Sequence, residues 1–200
     1  LRVTDKATIG VVDEVLNGEV NEEVASFVSS HDCGVRRIPG KEVLSCSKLA
    51  SEPDLGYVGD IGSVRTEPIL EALEEGLMPI LSSTASDAGG QCYNVNADTA
   101  AAQIAIALKA RRLVYLSDVP GLLKAPEDPA TLLSSLPVHQ VEPLKEEKVI
   151  SKGMLPKVNS AVEALNAGVN RVHFIDGRLP HSILLEIFTD EGIGTEIVHN

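Results

Sequence analysis

Three groups of polar residues in this chain have types and spacings that could do chemistry. The first is Asn94, Asn96 and Asp98, two amides and a carboxylate at alternate positions. Side chains two residues apart on an extended strand point the same way, so the two amides could donate hydrogen bonds to one ligand. Asp98 falls just before a helix predicted over residues 100–110, where a carboxylate caps free backbone N–H groups. The pattern suits a small anion beside a helix N-terminus, with an Asn-rich turn and a capping Asp as the alternative.

The other two groups also lie at the ends of predicted elements. Asp118 lies in the polar loop 117–123, directly after a strand predicted over residues 113–116. Lys157 precedes a helix predicted over residues 158–166, at the end where the helix dipole disfavours a cation. A nearby anion would offset that cost. An ordinary turn carboxylate and an ordinary surface lysine are the alternatives for these two residues.

The hydrophobic pattern predicts the elements that position these groups. Asn17-Gly18 is expected to end the first helix, and Pro39-Gly40 to form the turn of a hairpin. The predicted elements are helices over residues 7–16, 20–30, 68–75, 100–110, 130–135, 158–166 and 180–188, a hairpin within 34–49, and strands over 55–62, 78–81, 113–116, 172–175 and 196–198. Strands that alternate with helices predict a doubly wound α/β layer, with ligands at the carboxyl ends of the strands. The polar loops 82–98 and 117–123 are therefore expected at one edge of one sheet.

Composition excludes several classes of function. The net charge of −12 argues against nucleic acid as a partner, because phosphate binding needs clustered Lys and Arg. Aromatic residues make up 3% of the chain and hydrophobic residues 44%, which predicts an aliphatic core. The three cysteines lack metal-ligand spacing, and no metal site is predicted. No leader-like N-terminus or long apolar run is present, so we expect a reduced, cytoplasmic protein without a membrane partner.

Seven motifs follow one another in an order that carries a family resemblance. They are Leu1-Arg2-Val3-Thr4-Asp5, Tyr93-Asn94-Val95-Asn96-Ala97-Asp98, Leu116-Ser117-Asp118-Val119-Pro120-Gly121, Gly153-Met154-Leu155-Pro156-Lys157-Val158, Ile175-Asp176-Gly177-Arg178, Pro180-His181 and Glu191-Gly192-Ile193-Gly194-Thr195. Together they resemble the acetylglutamate kinase branch of the amino acid kinase family. Several ordered motifs are far more specific than any one of them, and the resemblance covers nearly the whole chain.

The resemblance implies a fold and a reaction. The fold is a three-layer αβα sandwich with a mainly parallel central sheet, in a single domain over residues 1–200. Residues 1–110 would mainly bind the acyl-amino acid and residues 111–200 the nucleotide. The reaction is transfer of the γ-phosphoryl group of ATP, with Mg²⁺, to the side-chain carboxylate of N-acetyl-L-glutamate in arginine biosynthesis. A carboxylate nucleophile is already ionised near neutral pH, so the reaction needs no general base.

The resemblance also implies roles for individual residues. Arg2 would pair with a substrate carboxylate, which its planar guanidinium matches well. Asn94 would hydrogen-bond the substrate and Asn96 would line the same site. Asp98 would hold the catalytic lysines in place, and Lys157 would stabilise the transferring phosphoryl group. The nucleotide would be contacted by Asp118, Val119, Pro120, Gly121, Leu122, Leu123, Val149, Ile150 and Ser151.

Regulation and assembly are left open by the sequence. His181 and the turn that contains Glu191, Gly192 and Gly194 look like the region where arginine-sensitive family members bind L-arginine as an inhibitor. A homo-oligomer is expected, either a dimer or, in an arginine-sensitive protein, a hexamer. These residues do not decide between the two.

Two departures from the family pattern affect these expectations. The family's first strand, its Lys-Gly-Gly turn and a second double-Gly loop precede the position of Arg2, and these 200 residues do not contain them. We therefore expect a polypeptide of residues 1–200 alone to be inactive. Residues 35–40 differ from the family's Gly-Leu-Ser-Gly-like segment. A sibling kinase acting on a related acyl-amino acid, or a non-catalytic amino-acid-binding module of the same fold, remains the alternative, although the presence of Asn94, Asp98 and Lys157 favours catalysis.

Overall fold

The computed structural model describes residues 2–125, 127–150, 153–189 and 192–199. The chain forms two compact units, Leu1–Ile104 and Ala105–Asn200. The sequence placed the division between the two binding parts six residues later, after residue 110. Whether each unit serves one ligand stays a prediction.

The first unit begins with three helical segments that run on without a break. They are α1 (Lys6–Glu14), a π-helical turn (Val15–Val20) and α2 (Asn21–Ser29). Asp5 caps α1, and its Oδ1 accepts a hydrogen bond from the Thr8 N–H at 2.7 Å. The predicted helix end at Asn17-Gly18 is wrong. The carbonyls of both residues accept hydrogen bonds from a tertiary partner, the guanidinium of Arg37, and this contact overrides the weak helix propensity of glycine.

Strand pairing in the first unit differs from the predicted hairpin at Pro39-Gly40. The strands and helices are β1 (Val35–Ile38), α3 (Gly40–Val43), β2 (Leu44–Lys48), β3 (Gly59–Val64), α4 (Glu67–Glu74), β4 (Met78–Leu81), β5 (Thr84–Ser86) and β6 (Cys92–Asn94). β1 pairs in parallel with β4, while the antiparallel hairpin is formed by β2 and β3. The hairpin prediction fails because Gly40 packs against backbone, where an added Cβ would lie 2.1 Å from the Ser82 carbonyl oxygen. A four-stranded sheet has the order β3-β2-β5-β6.

The second unit follows the predicted alternation of strands and helices more closely. After α5 (Ala97–Ala107) come β7 (Arg112–Ser117), β8 (Ser135–Pro137), α6 (Val141–Glu146), α7 (Leu155–Asn166), β9 (Arg171–Asp176), α8 (Ser182–Phe188) and β10 (Thr195–Val198). Their sheet has the order β7-β9-β10-β8, with β7 parallel to β9 and β10 antiparallel to β9. The predicted helix over 130–135 is instead a 3-10 turn, Pro129–Thr131, followed by the unpredicted strand β8. Residues 135–137 pair with β10, and that distant partner leaves no local signal.

The fold class predicted from the sequence is confirmed. Four of the seven strand pairs within the described residues are parallel. The core is mainly aliphatic; its aromatic members among the described residues are Tyr93, Tyr115 and Phe174, and the rings of the last two stack at 5.2 Å between centroids. The polar loops 82–98 and 117–123 follow β4 and β7, which belong to different sheets rather than to one. Within the described ranges, no helix has both the length and the apolar character needed to span a membrane.

Candidate functional site

The predicted substrate residues lie where β6 passes into α5. Asn94 ends the strand and is half-buried. Asn96, not Asp98, caps the helix: its Oδ1 accepts hydrogen bonds from the Thr99 N–H at 2.9 Å and from the Thr99 hydroxyl at 3.3 Å. Asp98 is therefore not the N-cap, because α5 begins at Ala97, three residues earlier than predicted, and Asp98 falls within its first turn.

The backbone of Tyr57 links the segment that carries Arg2 to the strand that carries Asn94. The Tyr57 N–H donates to the Thr4 carbonyl at 2.7 Å, and the Tyr57 carbonyl accepts from the Asn94 N–H at 3.0 Å. Gly56 makes this approach possible, because its φ is +73° and an added Cβ would lie 2.2 Å from the Thr4 carbonyl oxygen. Arg2 itself is exposed, two residues before Thr4. The first unit thus fixes the segment that carries Arg2 relative to the strand that carries Asn94.

A cavity of about 300 Å³ in the second unit gathers the loop after β7. It is lined by Asp118, Val119, Pro120, Gly121, Leu122, Leu123, Val149, Met154 and Arg178. Two separate parts of the predicted nucleotide set, the loop and Val149, are therefore brought together. Ile150 is buried, with 3% of its surface exposed, and Ser151 lies outside the described residues.

The loop owes its shape to Gly121 and Thr195. Gly121 has φ +145°, and a Cβ there would lie 2.6 Å from Thr195 Oγ1. That hydroxyl oxygen accepts a hydrogen bond from the Leu122 N–H at 2.8 Å. Thr195 is fully buried at the start of β10, so a strand of the sheet fixes the loop that forms one wall of the cavity.

Arg178 is a cavity residue that belongs to one of the seven motifs but has no role assigned from the sequence. Asp176, the last residue of β9, accepts from Arg178 Nε at 2.9 Å and Nη2 at 2.7 Å, and from its backbone N–H at 2.9 Å. These hydrogen bonds lower the pKa of Asp176 to about 2. The sequence carries a signal that could have placed Arg178 in the site. Arg178 follows a strand parallel to β7, and the carboxyl ends of both strands fall at one sheet edge.

Lys157 lies in the first turn of α7, above the ring of Tyr115. Its Nζ is 5.8 Å from the ring centroid, within the range of a cation–π contact. Tyr115 is buried on β7, the strand that leads into the cavity loop, and Met154 lines the cavity one turn before Lys157. α7 begins at Leu155, so the predicted helix start is three residues late.

Comparison with known proteins decides the family. The model of the amino acid kinase family matches residues 1–176. The chain belongs to this family. It is 46% identical over 200 residues to an acetylglutamate kinase of Clostridium beijerinckii, covering 98% of this chain and 70% of that protein.

Solved structures agree with that membership and confirm the amino acid kinase fold. The protein smu.665 from Streptococcus mutans UA159 superposes with a TM-score of 0.84 at 29% identity, over 100% of this chain and 75% of that one. An N-acetylglutamate synthase from Neisseria gonorrhoeae, complexed with coenzyme A and L-arginine, gives a TM-score of 0.83 at 28% identity. That comparison covers 100% of this chain and 47% of the synthase.

A second cavity of this amino acid kinase, of about 250 Å³, lies beside the predicted effector turn. It is lined by Arg112, Ser134, Ser135, Arg171, His173, Glu186, Ile187, Thr189, Gly192 and Glu196. Of the predicted effector residues, Gly192 lines it and Gly194 donates its N–H to Glu186 Oε2 at 2.9 Å. His181 is exposed at the N-terminus of α8, and Glu191 lies outside the described residues.

The floor of this second cavity is a buried pair of ionisable residues. His173 Nδ1 lies 2.8 Å from Glu186 Oε1, and both side chains are 4% exposed. Burial alone would raise the pKa of Glu186, but hydrogen bonds from the Ile193 and Gly194 N–H groups and from His173 outweigh it, so the pKa is lowered. His173 Nε2 and Arg112 Nε are buried without a hydrogen-bond partner among the described residues. The sequence hypothesis missed these groups because they come from β7, β9 and α8, which are distant along the chain.

Proposed function

We propose that this member of the amino acid kinase family transfers the γ-phosphoryl group of ATP to the side-chain carboxylate of N-acetyl-L-glutamate, in arginine biosynthesis. One observation carries the proposal. In a chain 46% identical to an acetylglutamate kinase, the motif residues 118–123 and the distant Val149 line a single cavity.

The first unit supplies the groups for the acyl-amino acid. Arg2 pairs with the α-carboxylate, and Asn94 hydrogen-bonds the substrate from the end of β6. The Oδ1 atom of Asn96 is occupied by the helix cap, so Asn96 offers the ligand its amide N–H group. Asn96 also places the N-terminus of α5, with its partial positive charge, beside Asn94.

The second unit supplies the groups for the nucleotide. Leu122, Leu123 and Val149 give the cavity the apolar surface that suits a base and ribose. We assign Ile150 and Ser151, which follow Val149 in the sequence, to the same ligand. Arg178, held by Asp176, adds a positive charge for the phosphates. Mg²⁺ would enter with ATP and would supply positive charge that offsets the charge of the phosphates.

Catalysis then depends on positioning and charge. Lys157 stabilises the negative charge that spreads over the transferring phosphoryl group, and Asp98 holds the lysine ammonium groups in place. The acceptor carboxylate is ionised at neutral pH, so no residue of this chain has to remove a proton from it. Cation placement is the main contribution that such a transfer requires of the protein.

Ligand-induced stabilisation tests this function against its alternatives. Thermal unfolding of the protein that carries this chain is measured with N-acetyl-L-glutamate, N-acetyl-L-aminoadipate, ATP–Mg²⁺ and L-arginine, each alone, because a ligand that binds the native state raises Tm. Acetylglutamate kinase activity predicts stabilisation by N-acetyl-L-glutamate and ATP–Mg²⁺. Preference for aminoadipate would indicate a sibling kinase. Stabilisation by an amino acid without any effect of ATP–Mg²⁺ would indicate a non-catalytic module.

L-arginine is the effector that we propose for the cavity beside Gly192. Glu186 and Glu196 can accept hydrogen bonds from a guanidinium, while Arg112 and Arg171 can pair with a carboxylate. The bound L-arginine in the structurally similar N-acetylglutamate synthase supports an amino acid as the class of ligand. Loss of arginine-induced stabilisation in Glu196→Gln, with unchanged stabilisation by ATP–Mg²⁺, is the expected result. An equal arginine effect in both proteins would contradict it.

We also propose that the protein is a homo-oligomer in the cytoplasm. Val20, Val24 and Phe27 follow one another at helical spacing and expose their side chains around α2. An apolar stripe of this kind suits the face of a second copy. Light scattering after gel filtration is expected to give at least a dimer, and Phe27→Glu to give a lighter species; a wild-type monomer would contradict the proposal.

A further inference from the structure

The π-helical turn between α1 and α2 carries a side chain that ties three segments of the first unit together. Asn17 Oδ1 accepts hydrogen bonds from the hydroxyls of Ser82 and of Thr84, the latter at 3.1 Å. Asn17 Nδ2 donates to Asp13 Oδ1 at 2.5 Å. π-helical turns are frequently found at functional sites, so the position of Asn17 in one draws attention to its contacts.

The two hydroxyls pass the restraint on to the turn that starts α3. Ser82 Oγ accepts from the Gly40 N–H at 2.8 Å, and Thr84 Oγ1 accepts from the Lys41 N–H at 3.1 Å. Each hydroxyl therefore donates to Asn17 and accepts a backbone N–H of the turn, so both its donor and its acceptor functions are used. Thr84 is fully buried, and water cannot replace a lost partner there without cost.

An ion pair between Lys41 and Asp13 completes a closed ring of contacts that runs from Asn17 through Ser82 and Thr84 to the α3 turn and back through Asp13. Lys41 Nζ donates to both carboxylate oxygens of Asp13 at 2.7 Å. Donation from Lys41 and Asn17 outweighs the partial burial of Asp13 and lowers its pKa, while the same contact raises the pKa of Lys41. Both groups are therefore charged at neutral pH, and Asp13 holds Asn17 by one oxygen as well as the lysine.

Arg37 fixes the other side of the π-helical turn. Its Nη2 donates to the carbonyls of Asn17 and Gly18 at 3.0 and 3.1 Å, and its Nε donates to Asn21 Oδ1 at 2.9 Å. Asn21 in turn donates to the Ile80 carbonyl at 3.1 Å. The turn is thus held from β1 and β4 as well as from β5, which leaves Asn17 little freedom.

The restraint reaches the proposed substrate site through the register of β5 and β6. Thr84 lies directly opposite Asn94 in this antiparallel pair. Directly opposed residues place their side chains on the same sheet face, about 5 Å apart. We propose that Asn17 is a positioning residue for the acyl-amino-acid site, which through Thr84 and Ser82 sets the placement of Asn94. This inference rests on the proposed function, since it assigns Asn17 to the same site.

A set of variants with steady-state kinetics tests the proposal in the protein that carries this chain. Asn17→Leu keeps the side-chain size and removes both hydrogen-bonding groups. We expect its KM for N-acetyl-L-glutamate to rise by about tenfold or more while its KM for ATP stays within about twofold. Asn170→Leu, at an exposed asparagine, is the matched control and should change neither constant. All assays are run well below the Tm of each variant.

A donor–acceptor exchange separates positioning from simple destabilisation. Asn17→Asp alone places two carboxylates side by side and should raise the same KM. Asp13→Asn combined with Asn17→Asp exchanges donor and acceptor between positions 13 and 17, with the charge moved to position 17. It keeps the hydrogen bonds from Ser82 and Thr84 and one of the two from Lys41, and should bring the KM back to within about threefold of wild type. A structural role alone would change Tm without this selective rise and rescue.

The outcomes distinguish the inference from the proposed function. The positioning role alone would be overturned if the wild-type protein turns over but Asn17→Leu leaves the KM for N-acetyl-L-glutamate within twofold of wild type. It would also be overturned if Asn17→Leu raises that KM together with the KM for ATP. Failure of the exchanged pair to rescue would also overturn it. A wild-type protein without turnover that depends on N-acetyl-L-glutamate would overturn the proposed function, and this inference with it.

Discussion

Asn96 caps helix α5 by accepting the Thr99 N–H at 2.9 Å, a role that the sequence pattern predicts for Asp98 instead. The two residues compete for this role because both are good capping types and lie two positions apart. The chain turns into helix at Ala97, so the asparagine meets the free N–H groups first. One residue thereby combines a structural task with the predicted task of lining the substrate site.

Substitution at position 96 separates these two tasks. Asn96→Ala should lower the free energy of unfolding by about 1 kcal/mol through loss of the cap. Asn96→Asp should retain most of that stability, because a carboxylate also accepts from the Thr99 N–H. Urea unfolding followed by circular dichroism measures both. Equal losses for alanine and aspartate would contradict the capping assignment. The aspartate variant should still bind N-acetyl-L-glutamate more weakly, since it lacks an amide donor and adds a negative charge.

Arg178 provides a test of the nucleotide cavity. Arg178→Ala should raise the KM for ATP by about tenfold through loss of a charged contact to phosphate, with little effect on the KM for N-acetyl-L-glutamate. Arg65→Ala, at an exposed arginine of the first unit, serves as the control. Asp176→Asn should also raise the KM for ATP, because it releases the guanidinium of Arg178. An unchanged KM for ATP in both cavity variants would exclude this role.

The pKa of Asp176, about 2 in the folded protein, sets the pH range of that contact. A carboxyl group whose pKa is lowered on folding contributes stability above its unfolded value, near 3.8, and loses it as the pH falls towards 2. The KM for ATP should therefore show no titration of Asp176 between about pH 5.5 and 8.

Glu186 should govern part of the acid sensitivity of the second unit. Its pKa is lowered from 4.5, so its contribution to stability is complete above that pH and is lost as the pH falls through the lower folded value. Glu186→Gln should be less stable at pH 7, because the N–H groups of Ile193 and Gly194 lose a charged acceptor. Its stability should also depend less on pH below about 4.5. Thermal unfolding across pH 3 to 7 measures both effects, and parallel curves for the two proteins would contradict the assignment.

Two cysteines should resist alkylation in the folded protein. Burial raises the pKa of Cys46 and of Cys92 to about 11, so about one thiol in a thousand is ionised at pH 8. Labelling with iodoacetamide, located by mass spectrometry, should be slow at both positions and rise with pH up to about 11. The urea-unfolded chain is the control and should react quickly. Fast native labelling of Cys92 at pH 8 would show that its thiol is neither buried nor neutral.

Elements with strong local signals could be predicted from the sequence. β7 and β9 are apolar runs, the Pro68 signal places α4 correctly, and the loop after β7 is assigned to a ligand because polar residues follow a buried strand. The cavity formed by residues 118–123 and Val149 agrees with that assignment. In each case the local pattern and the tertiary structure favour the same conformation.

The remaining features depend on partners far along the chain. Gly18 stays helical because Arg37 holds its carbonyl, and β8 exists because β10 pairs with it. The ring around Asn17 joins residues from α1 to β5, none of which carries a recognisable motif. His173 and Glu186 likewise meet only once β9 and α8 pack together. Spacing within a sequence cannot reveal such contacts, since they arise from the fold.

Formation of acetylglutamyl phosphate tests the central claim most directly. The protein that carries this chain is incubated with N-acetyl-L-glutamate, ATP and Mg²⁺ in hydroxylamine, which converts the acyl phosphate to a hydroxamate. Ferric chloride then forms a coloured complex with this hydroxamate. We expect product that requires both substrates, and a kcat lower by on the order of 100-fold in Lys157→Ala, because a transition-state charge contact is lost. No product that depends on N-acetyl-L-glutamate, or a Lys157→Ala protein within about threefold of wild type, would contradict the account.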